Sequence, residues 1–235
     1  MDEKAEAKSA QQFYDQTYYA DAGRQRGSAT WHTRRIAHRL GNLRDKHVLD
    51  VACGLGEWLE LLGRDGALLS GIDISERAVQ ACREQLPGAD IRLGSADLLP
   101  WPDATFDLIT CLGSLEHFVD KPRALREMVR VGDAQARYLI LVPNAGFLTR
   151  RLGFYAGTQQ TRLREDVYSL DTWTDLFRTA GLAVQRRWRD LHILDHRWIA
   201  TGPRGQWVLR ATQAALLPIW PIAWQYQVYH LCKKI

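Results

Sequence analysis

The chain has 235 residues, 46% of them hydrophobic, and a formal net charge of +4, enough for one sizeable core with additions. The four cysteines, at 53, 82, 111 and 232, form no CxxC pair or other metal spacing, which excludes a disulfide framework and fits thiols in a reducing cytosol. Residues 1–12 are charged and polar, without the apolar stretch of a secretory signal.

Charge is uneven. Phe147 to Ile235 carries 13 Lys and Arg against 6 Asp and Glu, whereas residues 1–146 carry 18 against 21. A basic C-terminal part suits a phosphorylated or carboxylated acceptor, an anionic membrane surface or nucleic acid; an Arg-rich solvated face is the plainer alternative.

Residues 1–12 read as a loose or helical extension. The aromatic run Phe13-Tyr14-Asp15-Gln16-Thr17-Tyr18-Tyr19 follows. Trp31 to Leu40 places Trp31, Ile36, Ala37 and Leu40 on one helical face. Arg34 and Arg35 lie on that helix, and either suits bidentate capture of a carboxylate.

His47 to Val51 is a buried strand that runs into Ala52-Cys53-Gly54-Leu55-Gly56. Small residues at alternate positions make a bend with no side chain in the way, and the glycines let backbone N–H groups approach a ligand. Ala52 is expected to hold a negative φ. The helix Glu57 to Gly63 turns its positive N-terminal end to the same space. Leu68 to Asp73 is a second strand, ending in a carboxylate about twenty residues after the turn. That offset sets an acid on a ribose diol in a βαβ unit. The GxGxxG spacing of dinucleotide sites is absent.

Ser75 caps a helix over Glu76 to Gln85, which Pro87-Gly88 ends. Ala89 to Leu93 is a short third strand, followed by Gly94-Ser95-Ala96-Asp97-Leu98. Phe106 to Cys111 is the fourth strand. Leu112 to Phe118 then falls beyond the carboxyl ends of the strands, where open α/β sheets bind ligands. Pro122 to Arg130 reads as a helix and Tyr138 to Val142 as the fifth strand. Ala145 to Val167 is a Gly- and Arg-rich insertion, with Arg150, Arg151, Tyr155, Arg162 and Arg164, expected to carry specificity. Ser169 caps a helix that Gly181 ends, and Leu182 to Trp188 is a strand.

The tail, Gly205 to Ile235, contains no Asp, Glu, Lys or Arg over 211–231 and includes Trp220, Trp224, Tyr226 and Tyr229. Its length would span a bilayer, but Pro218, Pro221 and four polar residues argue against a spanning helix. Packing on the domain or a partner subunit, and peripheral association of 211–235 with a membrane, are the other readings.

The pattern Asp50-x-Ala52-x-Gly54-x-Gly56 resembles the acid-x-Gly-x-Gly-x-Gly first motif of class I S-adenosylmethionine-dependent methyltransferases, with Ala52 in place of the first glycine. Leu98 to Asp107 resembles the LPF-D-SFD segment of the ubiquinone/menaquinone-type and small-molecule members. The resemblance covers Lys46 to Asn144 and continues more loosely to Leu182. It implies an α/β fold: a Rossmann-like, doubly wound, seven-stranded, mostly parallel sheet with an antiparallel final strand and helices on both faces. Residues 1–45 would form a helical lid, 46–204 the domain with its insertion at about 145–167, and 205–235 an amphipathic tail.

It also implies S-adenosylmethionine as cofactor. Asp73 would hold the ribose. Asp97 would accept from the adenine amino group, with the Leu98 backbone on a ring nitrogen. The methionine part would rest near Asp50, Ala52, Cys53, Gly54 and Leu112, and Gly56, Ile74 and Ala96 would also contact the cofactor. Tyr14, Tyr18 and Tyr19 would close the pocket, Tyr18 as a cofactor contact, and Arg34 would meet the cofactor carboxylate.

For the chemistry, His117 is the candidate base, since its ordinary pKa lies near neutrality, and Glu116 would orient it. The plainer role for His117 is packing at a helix start. His192 and His196 are rivals; their spacing lacks a third ligand, so no metal is assigned. The acceptor is expected to be a small molecule or a glycan- or lipid-linked group, methylated at oxygen, in the cytoplasm or at the inner membrane surface. Nucleic acid is disfavoured, because Cys111-Leu112-Gly113-Ser114 stands where amino-group methylation of bases uses Asn/Asp-Pro-Pro-Tyr. A protein acceptor and a non-catalytic cofactor-binding module are the alternatives.

Overall fold

The computed structural model describes residues 9–20, 29–151, 165–195 and 206–235. Seven strands form one sheet: β1 (His47–Val51), β2 (Leu68–Asp73), β3 (Asp90–Leu93), β4 (Phe106–Leu112), β5 (Gly132–Pro143), β6 (Leu182–Arg189) and β7 (Gln227–Lys234). Their order is β3-β2-β1-β4-β5-β7-β6. β7 runs antiparallel to both neighbours, so β1 to β6 share one direction. The order reverses between β1 and β4, and a doubly wound sheet opens its ligand crevice beyond the carboxyl ends at that reversal.

Helices cover both faces. On one lie α1 (Trp31–Arg39) and α2 (Glu57–Gly63), where Ile36, Leu40 and Leu62 pack with Val48, Leu108 and Leu139. On the other lie α4 (Lys121–Val131) and α5 (Leu170–Thr179), where Leu125, Met128, Trp173 and Phe177 pack with Leu49, Ile109 and Ile140. α3 (Glu76–Gln85) lies against β2 and β3. The helix starts are set by side-chain caps: Thr30, Ser75, Asp120 and Ser169 each accept the backbone N–H three residues on. Gly181, at φ +92°, lets the chain leave α5 and enter β6.

The tail departs from the sequence-based expectation. Residues 205–235 are not an appendage outside a domain that ends at 204. α6 (Gln206–Leu216) and two short 3-10 turns, Leu217–Ile219 and Ile222–Trp224, lead into β7, which is inserted between β5 and β6. Val228, Tyr229, His230 and Cys232 are buried there. A central strand covered on both faces needs a near-continuous uncharged run. The missing charges at 227–231 therefore reflect the protein's own core. Among the described residues no helix is long and apolar enough to cross a membrane. Of the insertion, a one-turn helix at Leu148–Arg151 is described; Tyr155, Arg162, Arg164 and most of the segment lie outside the described residues, as does His196.

Candidate active site

A cavity of about 620 Å³ lies beyond the carboxyl ends of the strands, within the size range of small-molecule and cofactor sites. Asp73 ends β2 at its wall. Its Oδ2 accepts the Gly54 N–H and its Oδ1 the Ser75 N–H, both at 2.9 Å. Burial raises its pKa, and these N–H donors oppose the rise. The Ile74 N–H is a third donor, so about one of the carboxylate's four lone-pair directions is left for a ligand hydroxyl.

The turn after β1 is built for close approach. Gly54 and Gly56 hold φ of +52° and +84°. A Cβ on Gly56 would stand 2.5 Å from Cys82 Sγ, and one on Gly54 would stand 2.8 Å from the Tyr19 hydroxyl. Ala52 corrects the expectation of a negative φ: it sits at +62°. The turn imposes a left-handed geometry there even though the residue is not glycine, at a cost of about 1–2 kcal/mol. Ala52→Gly is therefore expected to raise stability by up to about 1 kcal/mol, the gain being reduced by glycine's greater unfolded-state entropy, and Tm by about 2–4 °C. A thermal melt that moves down would show the strain is absent.

Asp50 lies beneath the turn, buried, with Thr110 Oγ1 donating to it at 2.6 Å and Trp58 Nε1 donating to Thr110 at 3.2 Å. Burial pushes its carboxyl up to about 7, and the Thr110 bond opposes that. It ties β1 to β4 just before the turn. Cys53 is likewise buried.

Of the other sequence-derived residues, Ala52, Ile74, Ala96, Asp97, Leu98 and His117 line the cavity with Asp73. The Leu98 N–H is directed to Ser95 O at 3.3 Å. Leu112 packs with Tyr229 and Trp188 in the core cluster on the α1 face. Arg34 is exposed, its Nε donating to Ala29 O at 3.1 Å. From the aromatic segment the wall takes Tyr14 and Tyr19, while Tyr18 is 43% exposed. That segment is fastened by Asp15, whose Oδ1 accepts from Ser75 Oγ at 2.6 Å. Burial, with Asp73 nearby, raises both the Tyr14 and Tyr19 hydroxyls.

Glu116 and His117 part company on the turn Leu115–His117. His117 faces the cavity; Glu116 is buried, and its Oε2 has no hydrogen-bond partner among the described residues. Burial pushes the Glu116 carboxyl up to about 7. His192 lies after β6, its Nδ1 2.5 Å from Asp190 Oδ2. Among the described residues no group of three His, Cys, Asp or Glu is placed to hold a metal ion.

Ser114, Phe118 and Arg123 also line the cavity and were not singled out from the sequence. Phe118 was within reach: it stands one residue beyond His117 on the crevice segment. Nothing local marks Arg123, whose Nε reaches back to Asp97 O at 3.0 Å across the fold.

Residues 49–140 match the methyltransferase domain family. The segment is similar to that family, and the relatives it matches include S-adenosylmethionine-dependent methyltransferases. The chain is 35% identical over 115 residues to the O-methyltransferase cnsE of Penicillium expansum, covering 46% of this chain and 42% of that one. It is 33% identical over 139 residues to the ubiquinone/menaquinone biosynthesis C-methyltransferase UbiE of Pseudoalteromonas translucida, covering 54% and 55%. The chain spans about half the length of the curated relatives it matches. Among solved structures, a chain from the Haloferax volcanii complex of the Trm112 methyltransferase activator with a methyltransferase shares the fold, with 19% identity, a TM-score of 0.72 and coverage of 95% and 96%. The cofactor of such a domain is S-adenosylmethionine, and the residues fit it: a buried acid at the end of β2 on the cavity wall, a turn of left-handed residues beside it, and Asp97 on the wall.

Proposed function

We propose that the whole protein transfers a methyl group from S-adenosylmethionine to a small-molecule or glycan- or lipid-linked hydroxyl in the cytoplasm, with His117 as base. The observation that carries this is the shared cavity, which Asp73, Asp97 and His117 all line. Asp73 would hold the ribose, Asp97 and Leu98 the adenine, and the Ala52–Gly56 turn the methionine part. When bound, the cofactor supplies a methyl already activated on a sulfonium. What remains for the protein is to align the acceptor with it and to remove a proton. His117 would take the proton from the acceptor oxygen, and Tyr14 and Tyr19 would exclude water. An oxygen acceptor is supported by the O-methyltransferase names among the relatives.

The test supplies methyl-labelled S-adenosylmethionine and a lysate of the source organism, then partitions the label. Transfer into lipid or small aqueous products is expected. Label confined to nucleic acid or protein would overturn the acceptor class. Cofactor binding without any transfer would leave a binding module.

Stability depends on pH through the buried Glu116. Its pKa is raised on folding, so the stability it contributes is complete below about 4.5 and is lost as pH rises through about 7. Glu116→Gln cannot ionise. It should exceed the native chain in stability by up to about 3 kcal/mol at pH 8 and match it near pH 4. Equal denaturant midpoints at pH 8 would place the carboxyl in a solvated setting.

A further inference from the structure

Residues 94–105 cross from β3 to β4 and carry Asp97 and Leu98 to the cavity. A connection outside any helix or strand must find partners for its own backbone groups. Here α4 supplies several of them. Arg123, Glu127 and Arg130 stand four and three residues apart, which sets them in a row on one helical face. From that row Arg123 Nε donates to Asp97 O at 3.0 Å. Glu127 Oε2 accepts the Leu99 N–H at 2.9 Å. Arg130 donates to Leu99 O through Nη2 and to Trp101 O through Nη1, each at 2.9 Å.

The grip falls on the two peptide units that flank Leu98. The carbonyl of Asp97 and the N–H of Leu98 belong to one planar trans unit and point opposite ways. Holding Asp97 O from α4 therefore aims the Leu98 N–H. That N–H is directed to Ser95 O at 3.3 Å, longer than an ordinary N–H···O bond. The Leu98 carbonyl shares its unit with the Leu99 N–H, which Glu127 holds. The row is itself braced. Arg130 meets Glu127 twice, Nε to Oε1 at 2.8 Å and Nη2 to Oε2 at 2.7 Å, and Asp103 once, at 2.7 Å. A forked pair fixes orientation as well as distance. The Arg130 bonds hold the Glu127 carboxyl below its usual range, so it stays an acceptor. Anchoring of α4 to the sheet comes from other positions, Ala124, Leu125, Met128 and Val131, all buried. The polar row is a second face, given to the connection.

A carboxylate selects adenine by accepting from its exocyclic amino group, and it repels a carbonyl oxygen at that place. Selection of this kind needs the acid held to within about 0.5 Å. We propose that Arg123, Glu127 and Arg130 are positioning residues that set selectivity for the cofactor's base, by fixing the peptide units on either side of Leu98 and with them the Asp97 carboxylate. This rests on Asp97 and Leu98 being the adenine contacts.

Calorimetric titration compares S-adenosylhomocysteine with S-inosylhomocysteine, in which a carbonyl oxygen replaces the amino group. The native chain should prefer the adenosyl compound by at least about tenfold. Arg123→Ala, at an exposed side chain, and Glu127→Ala should each cut that preference at least about threefold, with melts that stay cooperative. Arg126→Ala, at another exposed position of the same helix, should leave it unchanged. Arg123→Ala decides the matter if Glu127→Ala does not fold. A preference undiminished in the variants overturns the proposal, even where affinity falls equally for both compounds, because the row then only braces the fold. A native chain that binds S-adenosylhomocysteine without preference removes Asp97 from the adenine, and the proposal with it. One that binds neither compound overturns the cofactor site itself.

Discussion

A chain ended after Tyr226 should fail to give a soluble folded protein. Such a truncation removes β7, and with it the antiparallel partners of both β5 and β6. The side chains of Val228, Tyr229 and Cys232, all buried, leave the core. Fully burying one large apolar side chain is worth about 1.5–3 kcal/mol. Two strand edges would be left with unpaired N–H and C=O groups, which invite pairing between chains. These losses are of the same order as the whole net stability of a typical domain, about 5–15 kcal/mol. Expression followed by sedimentation and far-ultraviolet dichroism checks this. A soluble truncated protein with a cooperative melt would mean that β5 and β6 close on each other without β7. Aspartates at Leu216 and Ile219, by contrast, should leave the fold intact, because both side chains lie outside the core.

Asp73→Ala should weaken S-adenosylmethionine binding by about 1–3 kcal/mol, roughly 5- to 150-fold in Kd. Two effects combine. The ribose hydroxyls would lose their acceptor, and the Gly54 and Ser75 N–H groups would lose the carboxylate that fixes the turn and the start of α3. Asp73→Asn keeps one acceptor oxygen of the same shape, so its loss should be smaller. Calorimetric titration on both variants, alongside their melts, separates cofactor contact from loosening of the turn. Unchanged affinity in Asp73→Ala would remove the residue from the binding set.

Much of the scaffold was legible in the sequence because it is written locally. Ser75 and Ser169 announce helix starts, Gly181 a helix end, and Asp73 the end of a buried strand. The exit turn was legible in position but not in conformation: Ala52 looked compatible with negative φ, and only the closed path from β1 through Gly54 forces it left-handed. Arg34 was chosen for the kind of group it carries, but its place on α1 directs it to Ala29 O. The tail was the largest divergence. An uncharged window is the same whether the apolar medium is lipid or the protein's own interior. Only the pairing of β7 with two strands distant in sequence tells them apart. The prolines at 218 and 221 marked the boundary between helix and strand, and their spacing carried more information than the missing charge did.

The insertion of β7 between β5 and β6 also orders events during synthesis. On the ribosome, β5 and β6 emerge before segment 190–226 and β7 have been made, so the slot between them stays open for that interval. The nascent chain thus presents two adjacent sheet edges and an uncovered Phe177 face, the ring against which His230 finally packs. Closure is a late, long-range step of the kind that slows folding and exposes intermediates to aggregation. Chaperone dependence should therefore concentrate on the interval in which residues 190–235 are made.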